Sequence, residues 1–250
     1  MIVDPLFYAA AIPAVTLMGL SKGGLSGIGL LSLPLMALVV SPVQSAAIML
    51  PILIVQDVVS VWSFRVTWDG WIIGWMLPGA AVGVAAGWYY AERVNEAQLM
   101  AALGAITLAF GLSRLWVDRG GRIVAASQSP GWVGTLFGTA MGFVSQIAHA
   151  GGPPFQMWVT PRKLPHLTFI GTSAILFAIV NWMKVPAYLA LGAFPHEVVV
   201  AALLLMPLAI VSTLVTVRWL KRMDPARFYV VIYALMVLLG AKLLWDGVHG

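Results

Sequence analysis

The sequence predicts an all-α polytopic membrane protein of two homologous halves, read as inverted repeats with about 8 transmembrane segments between them. Three observations carry that prediction. The chain is 61% hydrophobic and only 9% charged, with a mean hydropathy of +0.94, whereas a soluble domain carries roughly 25% charged residues. Uncharged runs cover 5–21, 23–56, 70–91, 97–113, 123–161, 164–183 and 198–217, most of them near the ~20 residues a helix needs to cross hydrocarbon. Two of these runs are broken by glycine: Gly19-Leu20-Ser21-Lys22-Gly23-Gly24-Leu25-Ser26-Gly27-Ile28-Gly29, and a looser copy from Gly142 to Pro154. Irregular backbone at membrane depth survives only when it is buried in protein or lines a cavity. Paired breaks in two halves point to a transporter's substrate site.

The elements follow in chain order. Met1 to Pro5 carries no basic stretch, so the first run is expected to be a retained membrane element, not a cleaved leader. The first half, 1–117, opens with the glycine-broken segment. It continues with a helix holding one acid, Asp57, then a helix with an internal proline, Pro78, and closes with the apolar helix 97–117. The linker, 118–130, is the longest polar stretch in the chain. The second half, 131–250, repeats the order: a broken segment, a helix holding Asn181, a helix with Pro207 inside it, and a closing helix over 228–245. Most of the tryptophans, Trp68, Trp71, Trp116, Trp132, Trp219 and Trp245 among them, flank the runs as interfacial anchors do.

Charge placement bears on the topology. If each broken segment is one full crossing, the loop lysines and arginines other than Lys22 divide 6 against 7. If each is a hairpin returning to its starting side, Arg65, Arg114, Arg119, Arg122, Arg162, Lys163, Arg218, Lys221, Arg222 and Arg227 share one face. Arg93, Lys184 and Lys242 are left on the other, a split of 10 against 3. The positive-inside rule favours the hairpins, which make the halves inverted and turn both termini outward. The net charge of +5 is explained by the same rule, so no nucleic-acid partner is expected.

The residues able to handle a solute cluster at the breaks. In the first, Gly23, Gly24, Gly27 and Gly29 let backbone amides approach a ligand, and Lys22 beside Ser21 adds a full positive charge. The competing reading has Lys22 snorkelling to an interface and the glycines serving tight packing. It is the weaker one, because a mid-span lysine costs about 2.5–3.5 kcal/mol to insert. The second break offers Ser145, Gln146, His149, Gly151, Gly152 and Gln156. His149 can serve as relay or ligand or as a hydrogen-bonded packing residue, and both readings stand. Pro153 and Pro154 can start a second half-helix. Thr172 and Ser173 fit a helix face turned toward the break, or ordinary packing. Asp57 is either a coupling site for an ion or, as favoured, a structural partner of Lys22 or Lys184, with Asn181 in the equivalent place of the second half. Lys184 follows Asn181 by one turn, on the same face.

At these residues the chain resembles the sulfite exporter TauE/SafE family. The stretch 21–36, Ser-Lys-Gly-Gly-Leu-Ser-Gly-Ile-Gly-Leu-Leu-Ser-Leu-Pro-Leu-Met, is similar to that family's glycine-rich first motif, and Ser41 to Pro51 continues it. Ala148 to Gln156 matches its glycine-proline motif, extended by Phe169 to Ala174 and Asn181 to Lys184. Gly29-Leu30-Leu31 departs from the family, which commonly has consecutive glycines there. The resemblance implies a multi-pass protein of the bacterial inner membrane that exports or takes up small sulfur-containing or carboxylate anions.

The expected activity is therefore that of a secondary transporter, with a small anion and the lipid bilayer as partners and self-association left open. No cofactor, metal or catalytic residue is expected. Cysteine is absent, which removes disulfides and thiolate chemistry, and no Walker loop is present to use ATP. An anion channel would share every residue named. An intramembrane enzyme is disfavoured because H-E-x-x-H and G-x-S-x-G are missing.

Overall fold

The computed structural model describes residues 4–25, 27–118, 120, 129–219 and 226–249, with the side chains of 118, 219 and 226–232 outside that description. Most of the linker, the cations Arg119, Arg122, Lys221 and Arg222, the side chains of Arg227 and Trp219, and Ser26 thus lie outside the described residues. Those residues are helical throughout: α1 (Pro5–Lys22), a 3-10 turn (Ile28–Leu31), α2 (Ser32–Ala37), α3 (Pro42–Phe64), α4 (Gly70–Ala91) and α5 (Glu96–Asp118), then α6 (Gly131–Ala148), α7 (Gly152–Val159), a 3-10 turn (Thr160–Arg162), α8 (His166–Ala190), α9 (His196–Trp219) and α10 (Ala226–His249). Among the described residues, 6 helices are long and apolar enough to cross a membrane: α1, α3, α4, α5, α8 and α9. Trp62, Trp68, Trp71, Trp116, Trp132 and Trp245 are exposed, as are Val82, Leu112, Leu136, Leu203 and Leu238. An outer surface of this kind suits lipid and interface rather than water.

Local signals set the helix starts. Asp4 accepts from the Leu6 N–H and Pro5 opens α1. Ser41 and Pro42 do the same for α3, and Asp69 caps α4 through Trp71 and Ile72. The apolar run 23–56 is not one helix. Gly24 (φ 127°) and Gly27 (φ 98°) take left-handed backbone that a side chain disfavours, and the chain turns there before α2. Prolines inside α1, α3, α4, α8 and α9 are tolerated where neighbouring helices re-satisfy the freed carbonyls.

Helix directions can be followed from paired contacts. Gln56 donates to the Val15 carbonyl and Ser60 to that of Lys22, so α3 runs alongside α1 in the same sense. The segment between them must therefore carry the chain back, and α2 packs against α1 as it returns. The second break closes in the same way. Ser129, just before α6, accepts from Trp158 Nε1 (2.9 Å), and its carbonyl accepts from Arg162 (2.7 Å) just after α7. The α6–α7 segment thus begins and ends at one end of the molecule.

Helices α4 and α6 run in the same sense along a glycine seam. A Cβ at Gly79, Gly83 or Gly87 would strike Thr135, Thr139 or Gln146, and one at Gly138 or Gly142 would strike the carbonyls of Met76 or Ala80. Helices α5 and α10 run in opposite senses, with Gly104 on Gly240 and Leu244, and Gly247 on Ala97 and Ala101. Lacking a hydrophobic drive between lipid-bathed helices, such close backbone contact is what holds pairs together. Helices α3 and α8 cross in opposite senses, touching at Phe64–Gly171 and Asp57–Asn181.

The arginines sort accordingly. Arg65 follows α3. Arg162 and Lys163 follow α7, with Arg162 over Trp71 at the start of α4. Arg114 lies in the last turns of α5, whose end lines one cavity with Pro161. These share one end of the molecule. Arg93, between α4 and α5, lies at the other.

Candidate functional site

The two breaks meet. Their tips enclose a cavity of about 80 Å³ lined by Ser21, Lys22, Gly27 and Gly29 from the first and by Ser145, His149, Gly152 and Gln156 from the second. Helix α8 closes it with Ser173, Ala174, Phe177 and Asn181. A space of that size holds a few waters or one small ion, since a water occupies roughly 30 Å³ in the liquid.

Lys22 ends α1, and its Nζ donates to Asp57 Oδ1 at 2.5 Å. Asp57 Oδ2 accepts from Asn181 Nδ2 at 2.6 Å. The carboxylate, buried on α3, is therefore held from both sides, once by each half of the chain. Of the two partners weighed for Asp57, the structure supplies Lys22. The ammonium uses one N–H on Asp57 and lies 5.4 Å from the centre of the Phe177 ring, so donors remain to face the cavity.

His149 caps α6 in left-handed backbone (φ 49°). Its Nε2 lies 2.9 Å from the Ala46 carbonyl, which can only accept, so Nε2 carries the proton. Nδ1 is then the lone-pair nitrogen and accepts from Lys184 Nζ at 2.7 Å. Lys184, fully buried, also donates to the carbonyl and hydroxyl of Ser145 at 3.2 and 3.3 Å. These three contacts hold Nζ at the carbonyl end of α6, where the helix dipole favours positive charge. Lys184 thereby fixes the loop that presents His149 and is not among the residues lining the cavity.

The remaining expected residues are placed as follows. Gly23 packs on Thr213 and Thr216 of α9, and Gly151 on Phe177 and Met141; Gly24 supplies the positive-φ turn. Thr172 donates to the Thr168 carbonyl and accepts from the Asp69 N–H, tying the α3–α4 turn to α8 away from the cavity. Ser173 lines the cavity while donating to Ile170. Gln146 lies outside the lining, with its backbone carbonyl accepting from Tyr188 and its buried Oε1 unpartnered among the described residues. The cavity also takes Met18, Leu30, Leu53, Phe155 and Phe177, which were not foreseen. Phe177 had a readable signal: 173, 177, 181 and 184 fall on one helix face. Among the described residues, no three His, Cys, Asp or Glu side chains group closely enough to hold a metal.

A family model described as "Sulfite exporter TauE/SafE" matches residues 11–243. Searches of curated proteins and of solved structures return no match. The match spans nearly the whole chain and includes both breaks, and the chain belongs to the sulfite exporter TauE/SafE family of membrane transport proteins.

Proposed function

We propose that this family member is a secondary transporter carrying a small anion, a sulfur-containing oxyanion, sulfonate or carboxylate, across the bacterial inner membrane as a multi-pass protein. The observation that carries the reading is the meeting of two helix breaks at one small cavity, with Lys22 donors, a histidine and glycine backbone on its wall. Its electrostatics suit an anion, because no carboxylate is among the described residues that line it and the nearby Asp57 is already engaged by Lys22 and Asn181. Hydrogen bonds from Ser21, Ser145, Gln156 and Ser173 would complete the shell in place of water.

The same reading takes 1–117 and 131–250 as inverted repeats joined by 118–130, with eight crossings (α1, α3, α4, α5, α6, α8, α9 and α10) and with α2 and α7 as short returning arms. Helix directions support it: α6 shares the sense of α4, which reverses α3 and hence α1, and α8 opposes α3. The asymmetric distribution of arginines supports termini on the outer side. Rocking of the halves about the shared cavity would alternate its access.

The direct test is thermal stabilisation of the purified protein by sulfite, sulfate, sulfonates and short carboxylates, with Lys22→Ala run beside the wild type. Stabilisation by one class that is lost in Lys22→Ala is expected. Stabilisation that survives the substitution would move the anion away from the first break. Saturating flux with counter-flow in liposomes is expected of a transporter; non-saturating flux would mark a channel.

A further inference from the structure

Helix α7 is a partition with a void behind it. Its inner face, Gly152, Phe155 and Gln156, lines the anion cavity. Its outer face, Pro153, Pro154 and Met157, lines a second and much larger cavity of about 610 Å³. The far wall is one stripe of α5: Ile106, Ala109, Phe110, Ser113, Arg114 and Val117. From Phe110 to Val117 that stripe spans about 10 Å of helix. The two cavities share Gln156. At the junction lies Gly27, where a methyl would touch both Gln156 Nε2 and the Phe110 ring at 3.7 Å. Only thin, rearrangeable groups therefore separate the polar chamber from the larger space.

That larger space is mostly apolar and, among the described residues, has one cationic side chain in its lining, Arg114. The Arg114 guanidinium lies 5.2 Å from the Phe110 ring centre, and its buried Nε has no acceptor among the described residues. An unspent N–H of a permanent cation, in a wall leading to an anion chamber, calls for an anionic acceptor. The apolar walls beyond it would not retain such an ion, and apolar constrictions gate by dewetting. A comparison of the two halves adds direction. The first-half arm, the 3-10 turn 28–31 with α2, packs against α10, and α2 also packs against α5. The second-half arm, α7, faces α5 across the cavity.

We propose that the α5–α6–α7 cavity is the route by which a small oxyanion passes between the basic face and the Lys22 chamber, with Arg114 as the cation that collects it and Phe110, Gln156 and Gly27 as its gate. This rests on the transporter reading above and deepens it. The structure is then the conformation that faces the basic side, closed by α2 at the opposite end. In the alternate conformation α7 seats on α5 and α2 leaves its partners.

The absence of natural cysteine makes the route testable. Ala109→Cys and Met157→Cys are placed on its two walls, and Leu112→Cys on the lipid-facing side of α5. In inside-out vesicles, a membrane-impermeant methanethiosulfonate carrying a sulfonate should modify both wall positions and spare Leu112→Cys. Two wall positions are used so that a variant that fails to assemble leaves the other to decide. If neither reacts while a lipid-soluble maleimide labels both, acyl chain fills the cavity and the route is overturned. Arg114→Gln should raise KM for radiolabelled sulfite roughly tenfold, the worth of a charge-assisted hydrogen bond, at unchanged maximal rate. Arg114→Lys should recover most of it. An unchanged KM overturns the collecting role. Failure of the underlying transporter reading appears elsewhere, as loss of any Lys22-dependent stabilisation by sulfite whatever the labelling pattern.

Discussion

Asp57→Ala, Lys22→Ala and the double variant together separate the two duties assigned to Lys22. The pair is buried, with side-chain exposures of 12% and 3%, so removing one partner strands the other charge. Such stranding costs about 3–5 kcal/mol, whereas removing both leaves a smaller loss from packing and from the unpaired Asn181 amide. A double-mutant cycle should therefore give a coupling of at least ~2 kcal/mol, read from unfolding in detergent monitored by tryptophan fluorescence. Sulfite binding should move differently. Lys22→Ala and the double variant both lose a charge-assisted contact worth about 1.5–3 kcal/mol, which weakens binding some 10- to 150-fold. Asp57→Ala frees the ammonium and should bind sulfite at least as tightly as the wild type despite its lower stability. Stability and affinity thus part company in opposite single variants. A double variant that is stable and binds sulfite like the wild type would refute the assignment of Lys22 to the anion. A coupling under ~0.5 kcal/mol would refute the burial argument behind the stability values.

Three further outcomes follow from the packing. Lys184→Met leaves the Ser145 carbonyl and His149 Nδ1 without their donor and should cost about 1–3 kcal/mol of unfolding free energy; wild-type stability would show that Lys184 does not hold the α6 tip. Gly142→Leu drives a side chain into the Ala80 carbonyl and should cost about 1–3 kcal/mol or prevent assembly, whereas Gly74→Leu, with open space around it on α4, should not lower stability. Single cysteines at Asp4 and Gly250 should both be labelled from outside intact cells, and labelling only after permeabilisation would reverse the orientation.

The breaks were legible because their glycines, lysine and prolines violate a lipid-facing pattern, and α7 begins at the Pro153–Pro154 pair that announces it. The pairing of Lys22 with Asp57 was one of two alternatives that residue chemistry offered, but composition alone could not choose. The choice depends on α3 running parallel to α1, with Gln56 at Val15 and Ser60 at Lys22, a register no local signal encodes. The partner of His149 was out of reach for a related reason: Ala46 contributes a backbone carbonyl, and a carbonyl has no residue type. Arg114 was counted only as a loop cation. Its interest comes from a gap between α5 and α7, and missing packing leaves no mark on hydrophobic periodicity.

The glycine seams have a mechanical consequence. With carbonyls and helix backbones in direct contact at Gly83, Gly138, Gly142, Gly104 and Gly240, neither the α4–α6 pair nor the α5–α10 pair has slack to slide internally. Each is a stiff stave, and any working stroke must come from tilting staves against one another. The 22 residues of α4 make a lever of about 33 Å. A tilt of ~10° swings the far end of such a lever by nearly 6 Å, wider than a small oxyanion, so the gate can open fully while every seam stays closed.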